Sequence, residues 1–233
     1  MIEVRPFESL GRFDNDWLSA RYHFSFADYF DSERTSFGPL RVWNDDRIQP
    51  HRGFDYHGHR DMEIITYVRS GAVTHGDHLG NRGVTEAGDV QVMSAGKGIM
   101  HAEFNMEDEP TTLFQIWIEP AAQGGAPRWA QRRFPAADRA GRFTVLASGR
   151  PGDDGGALPI HQDAALLGAS LAKGQTAVHQ LGRDRRAYLV AATGRITVNG
   201  IAAKARDGVA VSGEEQLTVK ADEDSEIVLV DLP

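Results

Sequence analysis

Three histidines and two glutamates recur at even spacing in the first half of this chain: His57-Gly58-His59 with Glu63 beyond it, then His101-Ala102-Glu103. In a β-strand, residues two apart point to the same face of the pleat, so one ion can touch both members of each pair. Glu63 keeps the parity of His57 and His59 and faces the same way if the strand stays regular. The chain contains no cysteine, so a strong side-chain metal site must be built from imidazole and carboxylate. Such a donor set suits one divalent transition metal: Fe(II), Ni, Mn, Cu or Zn. A lone buried histidine is more often a hydrogen-bonded core residue; here the repeated spacing carries the reading, and either glutamate can supply the carboxylate.

The remaining histidines lack this pattern. His75 and His78 stand beside the turn signals Gly76-Asp77 and Leu79-Gly80 and read as solvent-facing or gate-like. His23, His51 and His161 read as local hydrogen-bonders. His179 falls where a second His-x-His would be needed, but Leu181 follows it two residues on. The second half is therefore expected to hold no metal.

The elements that must position these side chains are strands. Residues 40–43, 63–68, 90–93 and 113–118 are rich in β-branched and aromatic side chains and are bounded by Gly, Asn, Asp or Pro. A second series follows at 187–192, 195–198, 209–211, 216–220 and 226–232. The series echo one another: Tyr67-Val68-Arg69-Ser70-Gly71-Ala72-Val73 beside Val190-Ala191-Ala192-Thr193-Gly194-Arg195-Ile196, then Ala87-Gly88-Asp89-Val90 beside Asp207-Gly208-Val209. Such self-similarity means one supersecondary unit built twice, and predicts an all-β pair of barrels or sandwiches. Helix is confined to short pieces, expected at 163–171 and 130–139. The Gly96-Lys97-Gly98 turn is expected to present His101.

Length and composition agree. The 233 residues, 41% hydrophobic and 25% charged, suffice for two compact domains with ordinary cores. A net charge of -8 disfavours direct nucleic-acid binding, which rewards a basic footprint. The one basic stretch, residues 128–133, reads as a solvated strand or connection. No apolar run approaches a membrane span, and the first residues lack the apolar stretch of a signal peptide, so a cytoplasmic protein is expected.

Gly53, His57, His59 and Glu63, followed by Gly71, Gly88-Asp89 and His101, resemble the paired motifs of the cupin superfamily. More closely, residues 22–30 (YHFSFADYF), 40–46 (LRVWNDD), 57–63 (HGHRDME) and 93–103 (MSAGKGIMHAE) are similar to the signature stretches of the pirin family. The likeness runs from near residue 20 to about residue 135, and more weakly to the end. It implies a bicupin: a metal-binding barrel over 1–135 and a second barrel over 136–233 without ligands. It also implies one metal, commonly iron, held by His57, His59, His101 and Glu103. Many other cupins would use the position of Glu63, which is left beside the site as a base or supporting residue.

Bacterial pirins are associated with quercetin 2,3-dioxygenase activity and the vertebrate form with redox-dependent transcriptional cofactor work. The resemblance thus implies an enzyme acting on an enolisable aromatic and O2, with Glu103 as first candidate base and Glu63 as second. The alternative is a metal- or redox-sensing regulator that binds a protein partner. Phe26, Phe54, Tyr56, Met93, Met100, Phe104 and Phe114 are candidate walls for a flat substrate.

Overall fold

The computed structural model describes residues 1–153 and 155–233. Strands dominate, and those at the centre of the larger sheets are buried on both faces: Glu63–Ser70 is covered along its first six residues, whereas Arg52–His59 in a smaller sheet has no fully buried residue. All the strand runs expected from composition form strands. The chain divides into two units.

In the unit made of Gly11–Phe134 and Leu158–Gln162, one antiparallel sheet has the order Arg128–Arg132, Val90–Ser94, Glu63–Ser70, Thr111–Ile118, Leu40–Ile48, Leu18–Tyr22 and Gly11–Asp14. A second sheet has the order Arg52–His59, Ile99–Asn105, Ala72–Asp77 and Arg82–Glu86. Between them, Leu18, Ile48, Val68 and Leu113 of the first sheet meet Val73 of the second, with Phe54 packed against the cluster. The basic stretch is the strand Arg128–Arg132, paired with Val90–Ser94.

The other unit repeats this plan. Gly208–Ser212, Arg186–Thr193, Ser225–Leu232 and Ala165–Leu171 lie side by side as Val90–Ser94, Glu63–Ser70, Thr111–Ile118 and Leu40–Ile48 do. Thr176–Gln180, Gln216–Ala221, Ile196–Val198 and Ile201–Ala203 form its smaller sheet. The echo seen in the sequence is therefore one fold built twice. The registers align Val68 with Ala191 and Tyr67 with Val190, as the sequence comparison had it. In the later segment they place Val90 beside Gly208, since each pairs with that same tyrosine or valine.

Three expectations need correction. A short helix is expected at residues 163–171, yet Ala165–Leu171 is a strand hydrogen-bonded on both sides, to Thr144–Ser148 and Ser225–Leu232. Tertiary pairing overrides propensity there. Residues 130–139 hold only one 3-10 turn, Ala136–Arg139, after a strand. Finally, the units do not divide as 1–135 and 136–233. Met1–Leu10 belongs with the later residues because Ile2–Arg5 pairs with Gly208–Ser212, and Leu158–Gln162 belongs with the earlier ones.

Gly71 and Gly194 turn the chain at the same place in each copy, with φ of 73° and 78°. A Cβ on Gly71 would lie 2.5 Å from Thr111 Oγ1, and the corresponding atom on Gly194 would meet Ser225 Oγ. Backbone strain and steric conflict act together at both sites. Gly71→Ala should destabilise the protein by roughly 2 kcal/mol or more, read as a lower midpoint in urea.

Candidate metal centre

His57 and His59 lie at the end of the strand Arg52–His59. Its neighbour Ile99–Asn105 carries His101 and Glu103, and His101 pairs directly with His57. The three imidazoles converge: ring centroids are 4.5 Å apart for His57–His101, 4.8 Å for His57–His59 and 5.0 Å for His59–His101. Their nearest ligand atoms all fall within 4.8 Å of one another. The pairing shifts between His101 and Glu103 because Arg52–His59 carries one extra residue there, so Glu103 stands opposite Phe54; on its other side Ile99–Asn105 keeps unbroken register with Ala72–Asp77 and sets Glu103 opposite His75. Glu103 consequently groups with His101 and His75 rather than with all three convergent rings.

Hydrogen bonds fix which nitrogens are free. His57 Nδ1 lies 2.7 Å from the Asp55 carbonyl oxygen; a carbonyl only accepts, so Nδ1 carries the proton and Nε2 keeps its lone pair. His75 Nε2 lies 3.2 Å from Asp77 Oδ2, and His75 Nδ1 lies 3.4 Å from His101 Nδ1. If Asp77 is ionised, His75 donates to it and accepts from His101, which leaves the lone pair of His101 on Nε2. Burial acts against ionisation of Asp77, but donors from Asn81, His75 and the Leu79 backbone hold its carboxyl below the ordinary range. His101 Nε2 is buried and has no hydrogen-bond partner. A buried nitrogen lone pair left without a donor is costly in a closed protein and is what a metal ligand looks like before loading. The donor set fits a divalent transition metal.

Burial and the neighbouring rings push the His101 imidazole down to about 2 and the His59 imidazole to about 4. Both are neutral at physiological pH, as coordination requires. Glu103 moves the other way, up to about 7, because burial outweighs the hydrogen bonds it accepts. Those bonds come from Gln91 Nε2 at 2.5 Å, Gln115 Nε2 at 2.6 Å and Thr66 Oγ1 at 3.3 Å. The two glutamines are themselves oriented by tryptophans. Trp117 Nε1 donates to Gln115 Oε1 and Trp129 Nε1 to Gln91 Oε1. The same indoles pack on the histidines, Trp117 edge-on to His59 and Trp129 stacked on His75.

Placement changes several assignments. Glu63 does not share the face of His57 and His59: the strand breaks at Asp61, whose φ is 48°, so parity cannot be counted through it. Glu63 lies on the opposite face of its strand from Thr66, accepting from Ser94 Oγ at 2.7 Å and contacting His161 at 3.3 Å. A base role for Glu63 at this site is therefore corrected, as is the local role expected of His161. His75 is buried, not solvent-facing, whereas His78 is exposed and accepts a hydrogen bond from the Met100 backbone. His51 contacts Asp108, and His179 contacts Asp231. His75, Asp77, Gln91, Gln115, Trp117 and Trp129 were not identified from sequence. The readable signal was a glutamine inside each of two apolar strands.

Beside His57 and His59 opens a cavity of about 270 Å³ walled by Tyr22, Phe26, Phe54 and Trp117. Phe26 and Phe54 were expected there. Met93 and Phe114 are core, while Tyr56 and Met100 are largely exposed. Tyr56 and Phe104 border a different depression.

Residues 3–118 match the Pirin family, and residues 145–232 match the family described as Quercetinase C-terminal cupin domain. A Pirin-like protein of Caulobacter vibrioides is 57% identical over 231 residues, covering 99% of each chain. The chain belongs to the pirin family. Quercetin 2,3-dioxygenase of Escherichia coli K12 is 42% identical across 100% of this chain and 99% of its own. The crystal structure of bacterial pirin YhhW from Escherichia coli in complex with nickel(II) superimposes with a TM-score of 0.93 at 41% identity, covering 100% and 99% of the two chains. The pirin and cupin matches establish the bicupin architecture, and with the imidazole cluster they support a divalent-metal site and dioxygenase-like chemistry.

The raised Glu103 sets a pH signature in metal-free protein. A carboxyl whose folded pKa exceeds its unfolded value has its full relative stability below the unfolded value and loses it as pH rises through the folded one. Glu103→Gln removes that loss. Between pH 5 and pH 8 the variant should gain roughly 2 to 3 kcal/mol relative to the parent chain, measured by urea unfolding after chelation.

Proposed function

We propose that this chain is a metal-dependent dioxygenase that opens a flavonol of the quercetin type, with His57, His59, His101 and Glu103 holding one Fe(II) ion. The observation that carries the reading is the buried, unpartnered His101 Nε2 among three convergent imidazoles, next to an aromatic-walled cavity. The identity to the Escherichia coli quercetin 2,3-dioxygenase and the nickel(II)-bound relative support it. When bound, the ion would supply Lewis acidity toward an enol oxygen and the redox capacity to engage O2.

The chain's own residues divide the remaining work. Tyr22, Phe26, Phe54 and Trp117 offer flat apolar surface on which an aromatic substrate can stack. Glu103, whose carboxyl is pushed up to about 7 by burial before the ion binds, offers a carboxylate oxygen to take the proton of an acidic hydroxyl and give it back later. Gln91 and Gln115 hold that carboxylate in place, and each is locked by an indole N–H, so the base does not wander between turnovers. The Asp77–His75–His101 chain keeps the ligand nitrogen of His101 unprotonated.

Anaerobically reconstituted Fe(II) protein should consume O2 with quercetin. Glu103→Ala should lower kcat by about 100-fold or more, and His101→Ala should lose bound iron together with turnover. Stoichiometric iron without O2 uptake would rule out quercetin as substrate; full turnover by Glu103→Ala would remove Glu103 from the mechanism.

A further inference from the structure

The sheet that floors the cavity carries a row of directly opposed polar residues across five strands: Gln91, Thr66, Gln115, Asn44 and Tyr22. Gln91, Thr66 and Gln115 are accounted for by Glu103. Asn44 is not. Two residues along the same strand, and so on the same face, stands Asp46, between Leu113 and Ala20 in an otherwise apolar row. Both line the cavity beside His57 and His59. Asn44 and Asp46 are 4% and 3% exposed, yet Asn44 Oδ1 and Asp46 Oδ1 have no hydrogen-bond partner. A buried polar group left unpaired is costly, so two of them side by side in a core need a reason.

The second unit shows that the fold does not require them. Its registers align Gln91, Thr66, Gln115 and Asn44 with Val209, Leu189, Leu229 and Leu167, and Asp46 with Ala169. Every one of those is buried and apolar. The same sheet thus closes with hydrocarbon at each place in the second unit, and the polar atoms stand in the copy whose cavity lies beside His57 and His59.

We propose that Asn44 and Asp46 form the substrate-recognition pair of this cavity, binding two hydroxyls of a dihydroxylated aromatic ring. The inference rests on reading this cavity as the substrate site. The Asn44 side-chain oxygen accepts from one phenolic O–H. Asp46, buried near the Asp45 and Glu103 carboxylates with Arg69 opposing them, is held well above the ordinary carboxylate range, so its neutral carboxyl donates to the second hydroxyl oxygen. An aromatic ring without such hydroxyls leaves both groups unpaired and is rejected, because a site built to hydrogen-bond discriminates strongly against a ligand that cannot.

The test is calorimetric titration of 4-nitrocatechol into the full chain, both zinc-loaded and chelator-treated, the latter removing direct metal–catechol binding. The variants are Asn44→Leu and Asp46→Ala, singly and together, which install the residues the second unit uses. Each single variant should weaken binding tenfold or more in both forms, with zinc stoichiometry unchanged and the thermal midpoint equal or higher. Nitrobenzene, which lacks both ring oxygens, should bind parent and variants alike and weakly. Parent-like affinity in the double variant, or no binding of 4-nitrocatechol by the parent chain, would overturn the proposal. Failure of quercetin turnover with intact, Asp46-dependent catechol binding would instead overturn only the flavonol reading.

Discussion

Three imidazoles whose centroids lie 4.5 to 5.0 Å apart cannot share that space as cations, and the rest of this unit is arranged around keeping them neutral with their lone pairs directed inward. The antiparallel pairing of Arg52–His59 with Ile99–Asn105 brings them together. Asp55 and the His75–Asp77 pair take up the outer nitrogens of His57 and His101. Metal-ligating histidines ordinarily have such partners on their second nitrogen, which fix tautomer and ring orientation. The carboxylate stands opposite His75 and is tied to two glutamines and a threonine.

The duplicated fold separates what the architecture needs from what the chemistry needs. In the second unit Leu217 pairs with His179 where His101 pairs with His57, and Leu181 follows where His59 stands. His179 there is drawn to Asp231, which also binds Arg150 and Arg185. The hydrophobic cluster of that unit runs uninterrupted through Leu167, Leu189, Val209 and Leu229. Burying apolar surface stabilises such a core without the desolvation cost of amides and carboxyls. The first unit gives up part of that stabilisation to maintain a polar interior, the usual relation between a functional site and its scaffold.

Much of this was legible in the sequence, for identifiable reasons. Turn glycines and β-branched runs marked the strands because backbone conformation at Gly71 and Gly194 is a local property. His57-Gly58-His59 was legible because parity holds within a strand. Glu63 was misread because Asp61 interrupts that parity, a backbone event with no strong signal in Arg60-Asp61-Met62. The helical reading of 163–171 failed because Ala and Leu suit a helix, whereas hydrogen bonding to neighbours on both sides decides the outcome. His75 looked like a turn residue beside Gly76-Asp77, and its burial under Trp129 follows from contacts far apart in the chain. Asn44 and Asp46 lie inside the pirin-like stretch 40–46 with nothing local to single them out, since their significance lies in what they do not contact.

The most direct test of the central claim is iron-edge X-ray absorption on the Fe(II)-loaded chain and its His101→Ala variant. The account predicts an all N/O first shell with imidazole scattering from three rings in the parent chain and diminished imidazole scattering or lost iron in the variant. An identical spectrum for the two, at full iron loading, would contradict it.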